Sequence, residues 1–255
     1  MTLQGKIAIV TGAGSGIGQA IAIRLAAEGA AVAIDYIGDP AGANQTLATI
    51  EAAGGKAITV QADVASQADI QRLVDTTQQQ LGLANILVNN AGVERNAPFL
   101  EATEKDYDLV LGINLKGPFF LSQAFARKLR DAKLPGTIIN ISSVHEDVAF
   151  PNFASYCAAK GGLRMLMRNL AVELAPLGIT INNIAPGAII TPINKSLLED
   201  KPKLEALLKL IPLGRLGTVD DVANLAAFLA SPAAAYITGS TYTIDGGLMR
   251  DYHEQ

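Results

Sequence analysis

Tyr156 and Lys160 stand four residues apart in "SYCAAKGG" (155–162), with only small residues and one cysteine between them. On a helix that spacing puts a phenol and an ammonium on one face, within reach of each other. Such a pair is either an ordinary surface contact or a device for moving a proton. A tyrosine near its reference pKa of about 10 is mostly neutral at pH 7 and a poor base. A cation held beside it favours the phenolate. Ser143 lies 13 residues earlier (156 − 143), and its hydroxyl can donate to a substrate oxygen and orient it. Ser142 is chemically an equal candidate. A second constellation is "TGAGSGIG" (11–18). Glycines between a strand and a helix let backbone N–H groups approach a pyrophosphate at the positive helix end. The strict G-x-G-x-x-G pattern fails, because its last place is Ile17 counted from Gly12 and Gln19 counted from Gly14. No lysine completes a P-loop. Gly12, Gly16 and Gly18 remain, a G-x-x-x-G-x-G arrangement preceded by Thr11.

These groups must be positioned by an alternating chain. β-branched runs at 6–10, 31–35, 56–62, 85–90, 136–142, 179–185 and 241–245 read as seven strands. Segments with helical period lie near 16–28, 41–53, 67–81, 106–132, 153–175 and 219–230. Strands this apolar belong to a sheet covered on both faces, so the fold class is α/β, parallel and doubly wound. No linker, repeat or charge block divides residues 1–255, which read as one domain. The weakly patterned stretch 187–218 contains Pro202, Pro212 and a short helical piece near 203–209. Beside a sheet's carboxyl edge it is a candidate substrate lid.

Composition narrows the class further. Hydrophobic residues make up 49% and charged residues 17%, enough for a large core and too apolar for disorder. A net charge of −4 argues against nucleic-acid or anionic-membrane partners. Cys157 is the one cysteine, which leaves no internal disulfide and no multi-cysteine metal site; no metal is expected. The start "MTLQGKIAIV" does not look like a signal peptide. No apolar run approaches the ~18 residues of a membrane span. A cytoplasmic enzyme acting on a small molecule is the expectation.

The ordered motifs "TGAGSGIG", "NNAG" (89–92), Asn114, Ser143, "YCAAK" (156–160) and "PGAIIT" (186–191) resemble those of the short-chain dehydrogenase/reductase family over essentially the whole chain. Within it, "NNAGVE", "SSVHE", "GAIITPIN" and "DGG" are most similar to the glucose 1-dehydrogenases. The resemblance implies a seven-stranded Rossmann-type fold and hydride transfer between a carbinol carbon and nicotinamide. Tyr156 would be the general base. Lys160 would hold its charge state and reach the nicotinamide ribose. Family spacing selects Ser143 over Ser142, and Asn114 would support a water linking Lys160 to solvent; a helix-kink asparagine bonded to backbone is its other reading. The dinucleotide would be held by Gly12, Ser15, Gly16, Ile17, Gly18, Asp35, Asp63, Val64, Asn90, Ala91, Gly92, Tyr156, Lys160, Pro186, Gly187, Ile189 and Thr191. Glu94, His145 and Asn194, with Ser143, would line the pocket of a sugar oxidised at C1 to its lactone. A Ser143–His145 hydrolase reading fails, because no G-x-S-x-G elbow surrounds the serine. Cys157 reads as packing. Rival readings are a 3-oxoacyl carrier protein or ketone reductase on the same scaffold, and a non-catalytic dinucleotide sensor.

Cofactor choice turns on the end of the second strand. An acid there accepts from the ribose 2′-hydroxyl and repels a 2′-phosphate. Asp35 and Asp39 favour NAD, and so does the lack of a basic residue at Ile37 or Ser15. The family's usual acid position holds Tyr36, so strand alternation could turn Asp35 away and NADP stays open. The resemblance also implies a homotetramer. Leu163, Met165, Leu166, Met167, Leu170 and Leu174 on one helix are expected to leave apolar surface for twofold packing. The same is expected of Val222, Leu225, Ala226, Phe228 and Leu229 on another, and of an open edge strand near the C-terminus.

Overall fold

Alternate residues of each strand face opposite layers, and both layers are helical, so the strands can be apolar throughout. The computed structural model describes residues 2–250. Its strands are β1 (Ile7–Val10), β2 (Ala31–Tyr36), β3 (Lys56–Gln61), β4 (Ile86–Asn89), β5 (Gly136–Ile141), β6 (Ile179–Pro186) and β7 (Thr241–Ile244). They form one parallel sheet in the order β3-β2-β1-β4-β5-β6-β7. Each lies within one residue of its predicted bounds. The order reverses between β1 and β4, the switch point at which doubly wound sheets open a ligand crevice.

The helices are α1 (Gly16–Ala27), α2 (Ala41–Ala52), α3 (Gln67–Gln80), α4 (Glu104–Leu111), α5 (Gly117–Ala132), α6 (Ala154–Leu174), α7 (Lys195–Glu199), α8 (Lys201–Lys209) and α9 (Val219–Ala230). Ile21, Leu25, Ile50, Val222 and Ala226 of α1, α2 and α9 pack on Ala8, Val10, Val32, Ile34 and Val88. Ile70, Leu73, Leu121, Phe125 and Met167 of α3, α5 and α6 cover Ile9, Ala33, Leu87 and Ile138 on the other face.

Three expectations need correction. The single helix expected near 106–132 is interrupted by a π-helical turn, Gly112–Lys116, with Asn114 inside it. The continuous stretch Glu104–Ala132 is also long and apolar enough, by length and composition, to cross a membrane, contrary to the sequence reading. Here it is a core helix, with Leu121, Phe125 and Leu129 buried against the sheet. The apolar residues of α6 also leave less surface free than expected. Leu163 and Met167 are buried and Leu170 and Leu174 pack on the core, leaving Met165 exposed, with Val172 beside it in the outward face.

The predicted lid contains α7 as well as α8. Its base is closed by pairing of Ile189 with Gly217. Leu198, Leu204 and Leu208 meet Ile190 and Leu216 around a cavity of about 500 Å³.

Candidate active site

The glycine loop follows β1 because Thr11 ties it to β4. The Thr11 hydroxyl accepts from Asn90 N and Ala91 N, both at 2.9 Å. Asn90 Nδ2 donates back to Thr11 O at 2.8 Å. Gly12 and Gly16 adopt φ of +60° and +55°, a region that favours glycine. A Cβ on Gly18 would fall 2.4 Å from Asn90 Nδ2 and 2.5 Å from Gly12 O. Ser15 precedes α1 with its hydroxyl exposed and making no cap bond. The bare face of Gly16 looks toward Thr191 and Pro192 at the start of the lid, 3.6–3.8 Å from a notional Cβ. This backbone cradle at a helix N-terminus fits the diphosphate of a dinucleotide.

Asp35 is displaced from its expected role. It is 2% exposed, and its Oδ2 accepts from Gly12 N at 3.2 Å. The carboxylate lies under the glycine loop, so strand alternation has turned it inward and it braces the loop instead of reading a ribose. Burial pushes its pKa up to about 7, with the charges of Asp63 and Asp69 adding to the rise and the Gly12 and Ala62 N–H groups opposing it. Tyr36 packs partly on the core, and Ile37 and Asp39 are the exposed side chains at this strand end. Asp63 accepts from Ala65 N at 2.8 Å, which shapes the turn that places buried Val64 against Gly117.

Ser143 ends the run that leaves β5, buried at the mouth of the crevice, and Tyr156 and Lys160 project from the first turns of α6. The Ser143 hydroxyl accepts from His145 N at 3.2 Å and lies close enough to the Tyr156 hydroxyl to favour its phenolate. Lys160 Nζ lies 5.5 Å from the Tyr156 ring centroid and donates to Ile141 O at 2.9 Å. Burial pushes Tyr156 up to about 12 against the Ser143 hydrogen bond, with Glu94 and Cys157 adding to the rise. Burial pulls Lys160 down to about 8, with Glu146 opposing. The lysine and a positive nicotinamide ring were both expected to lower the phenol; among the protein's own groups desolvation prevails. The backbone-bonded reading of Asn114 holds, since its Nδ2 donates to Val93 O at 2.7 Å and Val110 O at 2.9 Å. Its Oδ1 is buried beside Gly92.

The chain matches, over residues 12–249, a family model described as Enoyl-(Acyl carrier protein) reductase. It is 44% identical to 3beta-hydroxysteroid dehydrogenase 1 of Eggerthella lenta, over 96% of this chain and 94% of that one. It is 39% identical to Glucose 1-dehydrogenase 2 of Bacillus subtilis, over 96% and 95%. The chain belongs to the short-chain dehydrogenase/reductase family. A gluconate 5-dehydrogenase from Burkholderia cenocepacia, solved with NADP and tartrate, superposes with a TM-score of 0.92 at 37% identity, covering 98% of this chain and 97% of that one. This short-chain dehydrogenase is thus an NAD(P)-binding oxidoreductase.

The residues expected to bind sugar are only partly available for it. The Asn194 amide donates to Ile189 O at 2.7 Å, pinning the lid. His145 stacks on Phe150 at 4.2 Å between centroids, with Phe150 on Phe153 at 4.0 Å. Its Nδ1 lies 3.3 Å from Val148 O, and burial lowers its pKa, so it is a neutral member of an aromatic stack beside Tyr156. Glu94 is half-buried, and burial raises its pKa. β6 ends at Pro186, and Gly187 N just after it donates to Ile244 O at 2.8 Å, where a Cβ on Gly187 would strike Asp245 at 2.8 Å. Ile189 is buried at the base of the lid. Sequence reasoning missed Glu146, whose side chain is 1% exposed, and the asparagines behind it. Their only sequence signal is an asparagine near the end of each of three strands.

Proposed function

We propose that this enzyme moves a hydride between a ring carbinol and a nicotinamide dinucleotide, with Tyr156 as general base, Lys160 beside it and Ser143 orienting the substrate oxygen. The observation that carries this reading is the approach of Ser143 and Lys160 to Tyr156 at the carboxyl edge of the sheet, the edge that also carries the glycine cradle. The bound cofactor supplies the hydride acceptor and a positive ring. The protein's own groups remove the hydroxyl proton, hold it at the Tyr156 oxygen and keep the lysine charged. Gly12, Ser15, Gly16, Ile17 and Gly18 would hold the diphosphate, and Asp63, Val64 and Asn90–Gly92 the adenosine side and the crevice floor. Pro186, Gly187, Ile189 and Thr191 would close from the lid side. With Asp35 turned inward, the case for NAD rests on exposed Asp39 and on the absence of a basic residue at Ile37 or Ser15; NADP use remains part of the reading. The chain acts as one domain with 187–218 as its lid, in the cytoplasm.

The finer reading is glucose oxidised at C1 to gluconolactone. It rests on Glu94, on the remaining His145 nitrogen and on the likeness to a glucose 1-dehydrogenase. A second reading, an apolar cyclic carbinol, is favoured by the His145–Phe150–Phe153 stack beside Tyr156 and by the likeness to a hydroxysteroid dehydrogenase. Initial rates with glucose, gluconate and a 3β-hydroxysteroid, each with NAD and NADP, separate them. Turnover of none of these or of related ketones would sink the oxidoreductase reading for ring carbinols.

A further inference from the structure

Behind the catalytic residues runs a buried line of amides. Asn89, Asn140 and Asn183 stand in register on β4, β5 and β6, each no more than 3% exposed. Asn89 Nδ2 donates to Asn140 Oδ1 at 2.8 Å and to Ser122 Oγ at 3.1 Å. Asn140 Nδ2 donates to Asn183 Oδ1 at 2.9 Å. Asn183 Nδ2 donates to Glu146 Oε2 at 3.2 Å, and Ser142 Oγ donates to the same oxygen at 2.5 Å. An ionised carboxylate only accepts. Glu146 therefore fixes which way Asn183 points, Asn183 fixes Asn140, and Asn140 fixes Asn89. The other oxygen, Oε1, has no hydrogen bond and lies 3.5 Å from Arg164 Nε of α6.

Glu146 ends the 3-10 turn Val144–Glu146 that follows Ser143, and its N–H donates to Ser143 O at 3.0 Å. Three consecutive residues are thus held by three different partners. Lys160 takes the Ile141 carbonyl, Glu146 takes the Ser142 hydroxyl, and Ser143 is left facing Tyr156. We propose that Glu146 is a positioning residue for the catalytic pair, its buried charge fixing the Ser143 turn against α6 and keeping Lys160 cationic beside Tyr156. This rests on the reading of Tyr156 as the base.

The titratable and charged groups facing this region are Lys160, Arg164, Tyr156 and Cys157 from α6. Asp147, paired with Arg164, and His145 face it from the turn itself, and Glu94 from the segment after β4. β5 and β6 contribute only the neutral Asn140, Ser142 and Asn183. Of the acids, Glu146 is the one whose charge supports Lys160.

The test needs no known substrate. The Lys160 ammonium is titrated by the carbon-13 shift of its labelled Cε, each spectrum being assigned against the same variant carrying Lys160→Arg, with NAD bound. Glu146→Gln keeps the size and removes the charge, and should move the Lys160 titration to lower pH by about half a unit or more. Glu146→Asp keeps the charge and should titrate near wild type even if turnover falls. Arg164→Gln, at a partly exposed position that the fold tolerates better, removes the cation that offsets Glu146 and should move the Lys160 titration to higher pH. Glu146→Gln and Arg164→Gln both titrating with wild type would overturn the proposal, whatever their stability. If Glu146→Gln does not fold, an unmoved Arg164→Gln overturns it alone. A fully active Tyr156→Phe enzyme would instead remove the reading on which the proposal rests.

Discussion

Tyr156 and Lys160 are each buried in a way that opposes the charge the proposed mechanism asks of them. With pKa values near 12 and 8, the lysine would lose its proton before the tyrosine if the protein acted alone. A bound nicotinamide's positive ring would push the tyrosine back down, while Glu146 already keeps the lysine from falling further. Tyr156→Phe removes one hydroxyl and little volume. It should cut turnover by about 100- to 10,000-fold, typical of a lost general base, while dinucleotide affinity by fluorescence titration stays within a few-fold. The pH dependence follows from the same group. Oxidation needs the phenolate, so its rate should climb as pH rises toward the tyrosine's pKa. Reduction needs the phenol and should fall over the same range. Parallel profiles in both directions would count against Tyr156. Cofactor choice is also decided by single residues. Ile37 is 66% exposed at the end of β2, and Ile37→Arg there should raise the NADP-to-NAD ratio of kcat/KM by about 10-fold or more through a charge-assisted bond to the 2′-phosphate. An unchanged ratio would show that this strand end does not read the cofactor.

At the level of elements, the β1–α1 loop is held from below by an acid that burial makes reluctant to ionise. In the folded chain Asp35 titrates near 7, against 3.8 for a free aspartate. Between those values the native state binds a proton that the unfolded chain has released, so wild-type stability should fall as pH rises from about 4 to about 7. Asp35→Asn keeps an acceptor for Gly12 N and cannot ionise. It should flatten that slope and raise Tm at pH 8 by roughly 5 °C. Calorimetry at pH 5 and pH 8 checks both, and equal slopes for the two proteins would mean that Asp35 is not the group responsible. The same β2 end shows the limit of strand pattern. Alternation foretold that neighbouring residues would face apart, but only the docked glycine loop decides that Asp35, and not Tyr36, goes under it.

Across the whole molecule, apolar surface remains after both faces of the sheet are covered. Val172 is 76% and Met165 62% exposed on α6, with Phe228 on α9 and Phe119 on α5 also showing. A groove of about 260 Å³ between α5 and α6 is lined by Phe119, Ala126, Leu170, Leu174 and Leu177. β7 is an edge strand; residues 251–255, the end of the C-terminal stretch that follows it, lie outside the described residues. We propose that twofold packing of these surfaces builds a homotetramer. Val172→Asp should split it into smaller species by light scattering and lower activity, because α6 also carries Tyr156 and Lys160. A fully active wild-type monomer would refute the assembly and its link to catalysis.

The order of elements was legible because hydrophobic period is local: seven strands and the long helices can be read within windows of a dozen residues. The Tyr156–Lys160 pair was legible for the same reason, since helical spacing alone puts the two on one face. What needed the fold were groups whose role depends on distant neighbours. Asp35 is buried by a loop 23 residues away in sequence. The Asn194 amide is spent on the backbone of its own lid. His145 is stacked on rings that follow it. Asn89, Asn140 and Asn183 are separate, unremarkable asparagines in the chain, and they become one hydrogen-bonded line only when parallel register sets them side by side. Periodicity says which face a residue takes. The desolvation and partners that give a polar side chain its chemistry come from elements that meet it only in the packed sheet.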